Sequence, residues 1–79
     1  MERKEITEKI RVILVAVLEH EDFKMSEELI AADVDGWDSL SHMMIISKIE
    51  SEFSIRFKLR ELNKMRNLNS LIDLIESKL

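Results

Sequence analysis

The chain contains no cysteine, no proline and no tyrosine, and only one glycine. Without cysteine there is no disulfide framework, no thiolate metal site and no thiol nucleophile. Any thiol chemistry must therefore come from an attached group. With Gly36 as the only glycine, turns must be marked mainly by the loss of apolar periodicity. The longest unbroken apolar run, Val12 to Leu18, is far short of the roughly 20 residues a membrane span needs. Membrane insertion is not expected. Glu2, Arg3, Lys4 and Glu5 lead into an amphipathic helix and do not read as a signal peptide, so a cytoplasmic setting is expected.

Seventy-nine residues make one small domain, 1–79, and 46% hydrophobic content is enough for a core. The net charge is −4 and its distribution is uneven. Residues 19–38 carry Glu19, Glu21, Asp22, Glu27, Glu28, Asp33, Asp35 and Asp38 against Lys24, a local balance of −7. Residues 56–66 carry Arg56, Lys58, Arg60, Lys64 and Arg66 against Glu61, a balance of +4. One reading makes both segments solvated surface. A sharper one makes them patches that orient the protein on its partners. Overall acidity, with only Phe57 interleaved in the basic segment, disfavours nucleic acid as a ligand.

The apolar spacing predicts an all-α bundle of four helices, three longer and one short. Ile6, Ile10, Ile13, Leu14, Val17 and Leu18 form the stripe of a first helix from about Glu5 to Glu19. Periodicity fades from His20 to Trp37, which reads as a long loop with a turn of helix near Ser26 to Ala31. A second helix is expected from Ser39 to about Ser54, its buried side formed by Leu40, Met43, Ile45, Ile46, Ile49 and Phe53. Met44, Ser47, Glu50 and Ser51 are expected to face outward. Ile55 and Phe57 anchor a short extended connection, and Leu59, Leu62 and Met65 mark a short third helix. Asn67 is placed to cap a last helix with the stripe Leu68, Leu71, Ile72, Ile75 and Leu79.

The stretch Gly36-Trp37-Asp38-Ser39-Leu40-Ser41-His42 concentrates the chemistry. A lone glycine before a helix marks a sharp bend. Asp38 is a good N-cap, and Ser39 then opens the helix at the positive end of its dipole, where an attached anion would be stabilised. Ser41, the rival hydroxyl, lies about 200° further round the helix. Ser39 is not expected to be a catalytic nucleophile, because His42 has no orienting partner in the pattern. Asp33-Val34-Asp35-Gly36 fails as a calcium loop: with Gly36 at position 6, positions 1 and 12 would be Ala31 and His42. His20 and His42 do not form a metal pair at ligand spacing. Trp37 is expected first to pack over the junction and second to touch a partner.

Asp38-Ser39-Leu40 after a glycine, opening an apolar helix that ends in Glu50-Ser51-Glu52-Phe53-Ser54-Ile55, resembles the acyl carrier protein family over nearly the whole chain. The resemblance implies 4'-phosphopantetheine attached to Ser39 by a separate transferase using coenzyme A. It also implies that Asp38 helps that transferase hold its metal, and that the arm's thiol carries acyl groups as thioesters. The expected partners are the phosphopantetheinyl transferase, an acyl- or aminoacyl-loading enzyme, and a downstream transferase or synthase. The protein is expected to be a non-enzymatic monomer. Candidate partner contacts are Trp37, Leu40, Met44, Ser47, Glu50 and Arg56; candidate walls of a cavity for the acyl chain are Met43, Ile46 and Ile49. Family members that serve general fatty-acid synthesis bear acids on the outer face of the second helix. Here Glu50 is the one charge among the corresponding positions, which favours a pathway-specific carrier. Acyl and aminoacyl cargo remain open, as does an unmodified helical interaction module.

Overall fold

The computed structural model describes residues 1–79 as four helices: α1 (Arg3–Leu18), α2 (Ser39–Phe53), α3 (Leu59–Asn63) and α4 (Leu68–Lys78), with a 3₁₀ turn at Ala31–Asp33. The stripes expected from spacing form one core. Ile6, Ile10, Ile13 and Leu14 of α1 meet Ile45, Ile49 and Phe53 of α2 and Leu68, Leu71, Ile72 and Ile75 of α4, with Ile55 sealing the α2–α3 connection. No polar side chain is buried, so apolar area removed from water is what holds the elements together.

Four of the expected apolar positions lie outside it. Leu40 is 74% exposed, Met43 58%, Leu59 75% and Leu79 53%. At about 100° per residue, Leu40 lies roughly opposite the face of α2 formed by Ile45, Ile46, Ile49 and Phe53, and Met43 lies well to its side, so both point to solvent. The buried side of α2 is Ile45, Ile46, Ile49 and Phe53.

The two longest helices end without a breaker residue. Glu19 and Ser54 adopt left-handed backbone conformations, with φ of 60° and 54°. Such residues are usually glycine, and in a chain this poor in glycine other side chains take the position. The Ser54 N–H and the Ile55 N–H both return to the Glu50 carbonyl, closing the end of α2.

The long loop between α1 and α2 is tied down from two directions. Phe23, Met25, Leu29 and Trp37 pack against the core, and Val34 is buried. The second tie is to α4. A helix start leaves its first N–H groups without intrahelical partners. Here Leu68 donates to the Leu29 carbonyl (2.8 Å) and Asn69 to the Glu27 carbonyl (2.9 Å). Ser70 donates to Asn67 Oδ1 (2.9 Å), and Ser70 Oγ accepts from the Asn67 N–H (3.0 Å). The start of α4 thereby fixes the course of a loop some forty residues earlier in sequence. His20 adds a clasp: its Nδ1 accepts from the Asp22 N–H (2.9 Å), which leaves Nε2 to donate to the Asp35 carbonyl (2.7 Å).

Candidate functional site

The loop delivers the chain to α2 through Gly36, whose φ is +84°. A methyl group added there would meet nothing closer than Leu18 Cδ2 at 3.8 Å. Backbone conformation, not space, therefore calls for glycine. The carboxylate of Asp38 accepts from the Ser41 N–H (2.9 Å), and Ser41 Oγ accepts from the Asp38 N–H (2.8 Å). This is a reciprocal capping box with serine at the third helical position. The cap holds the Asp38 carboxyl below its usual range, chiefly through the Ser41 backbone N–H, and keeps it ionised.

The same cap separates the two hydroxyls. Ser41 Oγ also donates to the Gly36 carbonyl (2.7 Å), so it is committed to the turn. Ser39 is exposed, and none of the hydrogen bonds of this cap uses its hydroxyl. Its oxygen stands at the positive end of α2.

Trp37 and His42 occupy the positions just before the cap and in the second turn, where an apolar pair often pins the start of a helix. Trp37 Nε1–H donates to His42 Nδ1 (3.0 Å), and the rings stack at 6.1 Å between centroids with 27° between planes. His42 thus has an orienting partner, contrary to the sequence expectation. Nδ1 is an acceptor, so the neutral ring carries its proton on Nε2. Burial pushes the His42 pKa down. The staple positions were the sequence signal for this pair, obscured because neither residue is aliphatic.

Around the junction Leu40, Met43 and Met44 present apolar surface to solvent, and Ser47 and Arg56 are exposed further along. Glu50, expected to face outward, is half-buried, and its carboxylate accepts from the Phe57 N–H (2.9 Å). It braces the connection after α2. The expected acyl-chain walls also change. Met43 is exposed, whereas Ile46 and Ile49 are sealed in the core at 3% and 0%. An apolar cavity of about 90 Å³ opens instead among Leu29, Trp37, His42, Leu62, Met65, Leu68 and Leu71. It lies where the loop, α3 and the start of α4 converge, elements whose approach to one another the spacing of α2 could not reveal.

The helix start fits a covalently attached anionic group: an exposed primary hydroxyl, first-turn N–H groups, and a neighbouring hydroxyl already engaged. Comparison with known proteins agrees. The family described as "Phosphopantetheine attachment site" matches residues 8–75. An acyl carrier protein of Thermotoga maritima is 30% identical over 77 residues, covering 98% of this chain and 95% of that protein. The solution structure of a holo acyl carrier protein from Geobacter metallireducens superposes with a TM-score of 0.83 at 36% identity, covering 91% of this chain and 83% of that one. Fold, family match and relatives converge: the chain belongs to the acyl carrier family and is a carrier that holds acyl groups as thioesters on a covalently attached 4'-phosphopantetheine arm.

Proposed function

We propose that Ser39 is the attachment residue, and that the chain acts as a single-domain, monomeric, pathway-specific carrier with no catalytic activity of its own. One observation carries the assignment: of the two serines that open α2, Ser39 is exposed and Ser41 is locked into the cap. When bound, the arm supplies the thiol that the cysteine-free chain lacks. Asp38 holds the start of α2 in shape and presents an ionised carboxylate beside Ser39, where a transferase-bound metal can use it. The α2 dipole and first-turn N–H groups favour the phosphodiester over bulk solvent. His42 does not act as a base toward Ser39, because Nδ1 is taken by the Trp37 N–H.

The partners of this reading are a phosphopantetheinyl transferase, an acyl- or aminoacyl-loading enzyme, and a downstream transferase or synthase. They would dock on the apolar surface beside Ser39, chiefly Leu40 and Met44, with Trp37, Ser47 and Arg56 at its edges. The absence of an acidic outer face on α2 supports partners that read shape and apolar contact. An acyl chain on the arm folds back toward the cavity beside Trp37, not toward Ile46 and Ile49. Incubation with coenzyme A and a broad-specificity transferase, read by intact mass, should add one phosphopantetheine to the protein and none to Ser39→Ala. Modification of Ser39→Ala would overturn the assignment.

A further inference from the structure

We propose that His42 is a binding residue for the attached arm: its Nε2–H, fixed as a donor by Trp37, bonds an oxygen of the phosphodiester on Ser39. The inference rests on Ser39 being the attachment residue. Ser39 and His42 are three residues apart on α2, and side chains at that spacing are neighbours on the helix surface. A helical side chain also leans toward the N-terminus, over the turn before its own. From position 42 that turn is the one Ser39 opens. Asp38, Ser39, Trp37 and His42 accordingly line one open groove.

The ring has a defined donor with no acceptor in the protein. The Trp37 Nε1–H occupies Nδ1, and the indole stacks on the imidazole. An accepting Nδ1 in a neutral ring leaves the proton on Nε2. Burial lowers the His42 pKa, which keeps the ring neutral at neutral pH. Trp37 is the one residue hydrogen-bonded to this ring. No side-chain nitrogen or oxygen is buried without a partner, so the unbonded Nε2–H reaches solvent. The Asp38 carboxylate, the other charged group of the groove, is turned to the Ser41 N–H. A phosphodiester is an anionic acceptor with no proton of its own to offer. A bond from an N–H to such an oxygen is stronger than one between neutral groups. Modification of Ser39 thus supplies the acceptor the ring lacks. The arm then leaves α2 on the side of His42 and does not swing freely about the Ser39 side chain. Trp37 acts through the ring, as a positioning residue.

The test compares the unmodified chain with the product of coenzyme A and a broad-specificity transferase, checked by intact mass. It uses the native sequence, His42→Leu, His42→Gln and Trp37→Phe. At neutral pH the His42 Nε2–H proton should exchange with water too fast to observe before modification, and give a resolved resonance after it. The phosphorus resonance of the phosphodiester should differ between native protein and His42→Leu. It should return toward the native position in His42→Gln, which keeps an N–H donor at similar reach. Modification should raise the melting temperature of native protein more than that of His42→Leu, by on the order of 5 °C. Comparing the two gains cancels the effect of the substitution on the fold itself. Trp37→Phe frees Nδ1 and should lose part of both effects. An Nε2–H that still exchanges freely after modification, or thermal gains equal in native protein and His42→Leu, overturns the proposal. So does a protected Nε2–H with a phosphorus resonance that ignores His42→Leu, since the donor would then serve a group further along the arm. Failure of the native chain to gain mass would overturn the Ser39 assignment itself, and this inference with it.

Discussion

Ser39 and Ser41 are two residues apart and chemically alike, yet the cap gives them different fates. The position of Ser39 was legible in sequence, because glycine, a capping aspartate and an apolar helix follow one another there. The commitment of Ser41 was not, since it depends on a side chain reaching back to Gly36 and Asp38. Trp37 and His42 were read as separate residues; only the fold shows that one orients the other. That contact has a pH signature. Burial lowers the His42 pKa in the folded protein relative to the unfolded value of about 6.5. Between those two values the unfolded state binds more protons, so stability rises with pH there. The His42 contribution is complete above pH 6.5 and is lost as pH falls from 6.5 through the folded value. Thermal melts from pH 7.5 to 5 should show native protein losing stability relative to His42→Gln on acidification; parallel curves would contradict it. Met44, half-exposed on α2, is part of the docking surface proposed above. Met44→Glu should leave the melting temperature within a few degrees of native and reduce transfer to the cognate enzyme, measured as kcat/KM.

At the level of elements, the helices were legible because their apolar periods are strong, and their ends were found within about two residues. In α2 the error lies in which residues share a face. Leu40 and Met43 were assigned to the buried side, yet at about 100° per residue they lie off the direction shared by Ile45, Ile46, Ile49 and Phe53, and they remain in solvent. The loop was the least legible element. Its apolar anchors were recognised, while its backbone ties to α4 leave no trace in composition. Asn67 was identified from its type and place, and the structure adds why it matters: its side chain caps the helix whose next two N–H groups hold the loop. Asn67→Ala should cost about 1 kcal/mol of unfolding free energy. It should also broaden the amide resonances of Glu27 to Leu29. Denaturant titration checks the first outcome and heteronuclear spectra the second; a stability loss with an undisturbed loop would show that the two are independent.

Across the whole molecule, charge is segregated by segment. Arg56, Lys58, Arg60, Lys64 and Arg66 are all exposed, and the molecule's ion pairs use none of them. The one acid of that stretch, Glu61, is turned to the Lys58 N–H (2.7 Å) and the Lys78 ammonium (2.9 Å), which leaves the cations uncompensated. Of the acids in residues 19–38, Glu21 alone pairs, with Arg11 at 3.5 Å. We propose that this arrangement gives the protein an electric direction that steers encounter more than it adds affinity. The double variant Arg60→Glu, Lys64→Glu should raise KM for the cognate loading enzyme several-fold at low salt and leave kcat unchanged. The difference should shrink as ionic strength rises, because exposed charges are screened over about 10 Å at 0.1 M. A salt-independent change would argue for a packing effect.

The bonds from Leu68 and Asn69 back to Leu29 and Glu27 also order events during synthesis. As the polypeptide leaves the ribosome, the carbonyls of the first crossing emerge well before the amides that will satisfy them. The bend that presents Ser39 has its full support only after the final helix has emerged. We therefore propose that a chain from which α4 is missing holds Ser39 in a less settled setting and is a poorer substrate for the modifying enzyme.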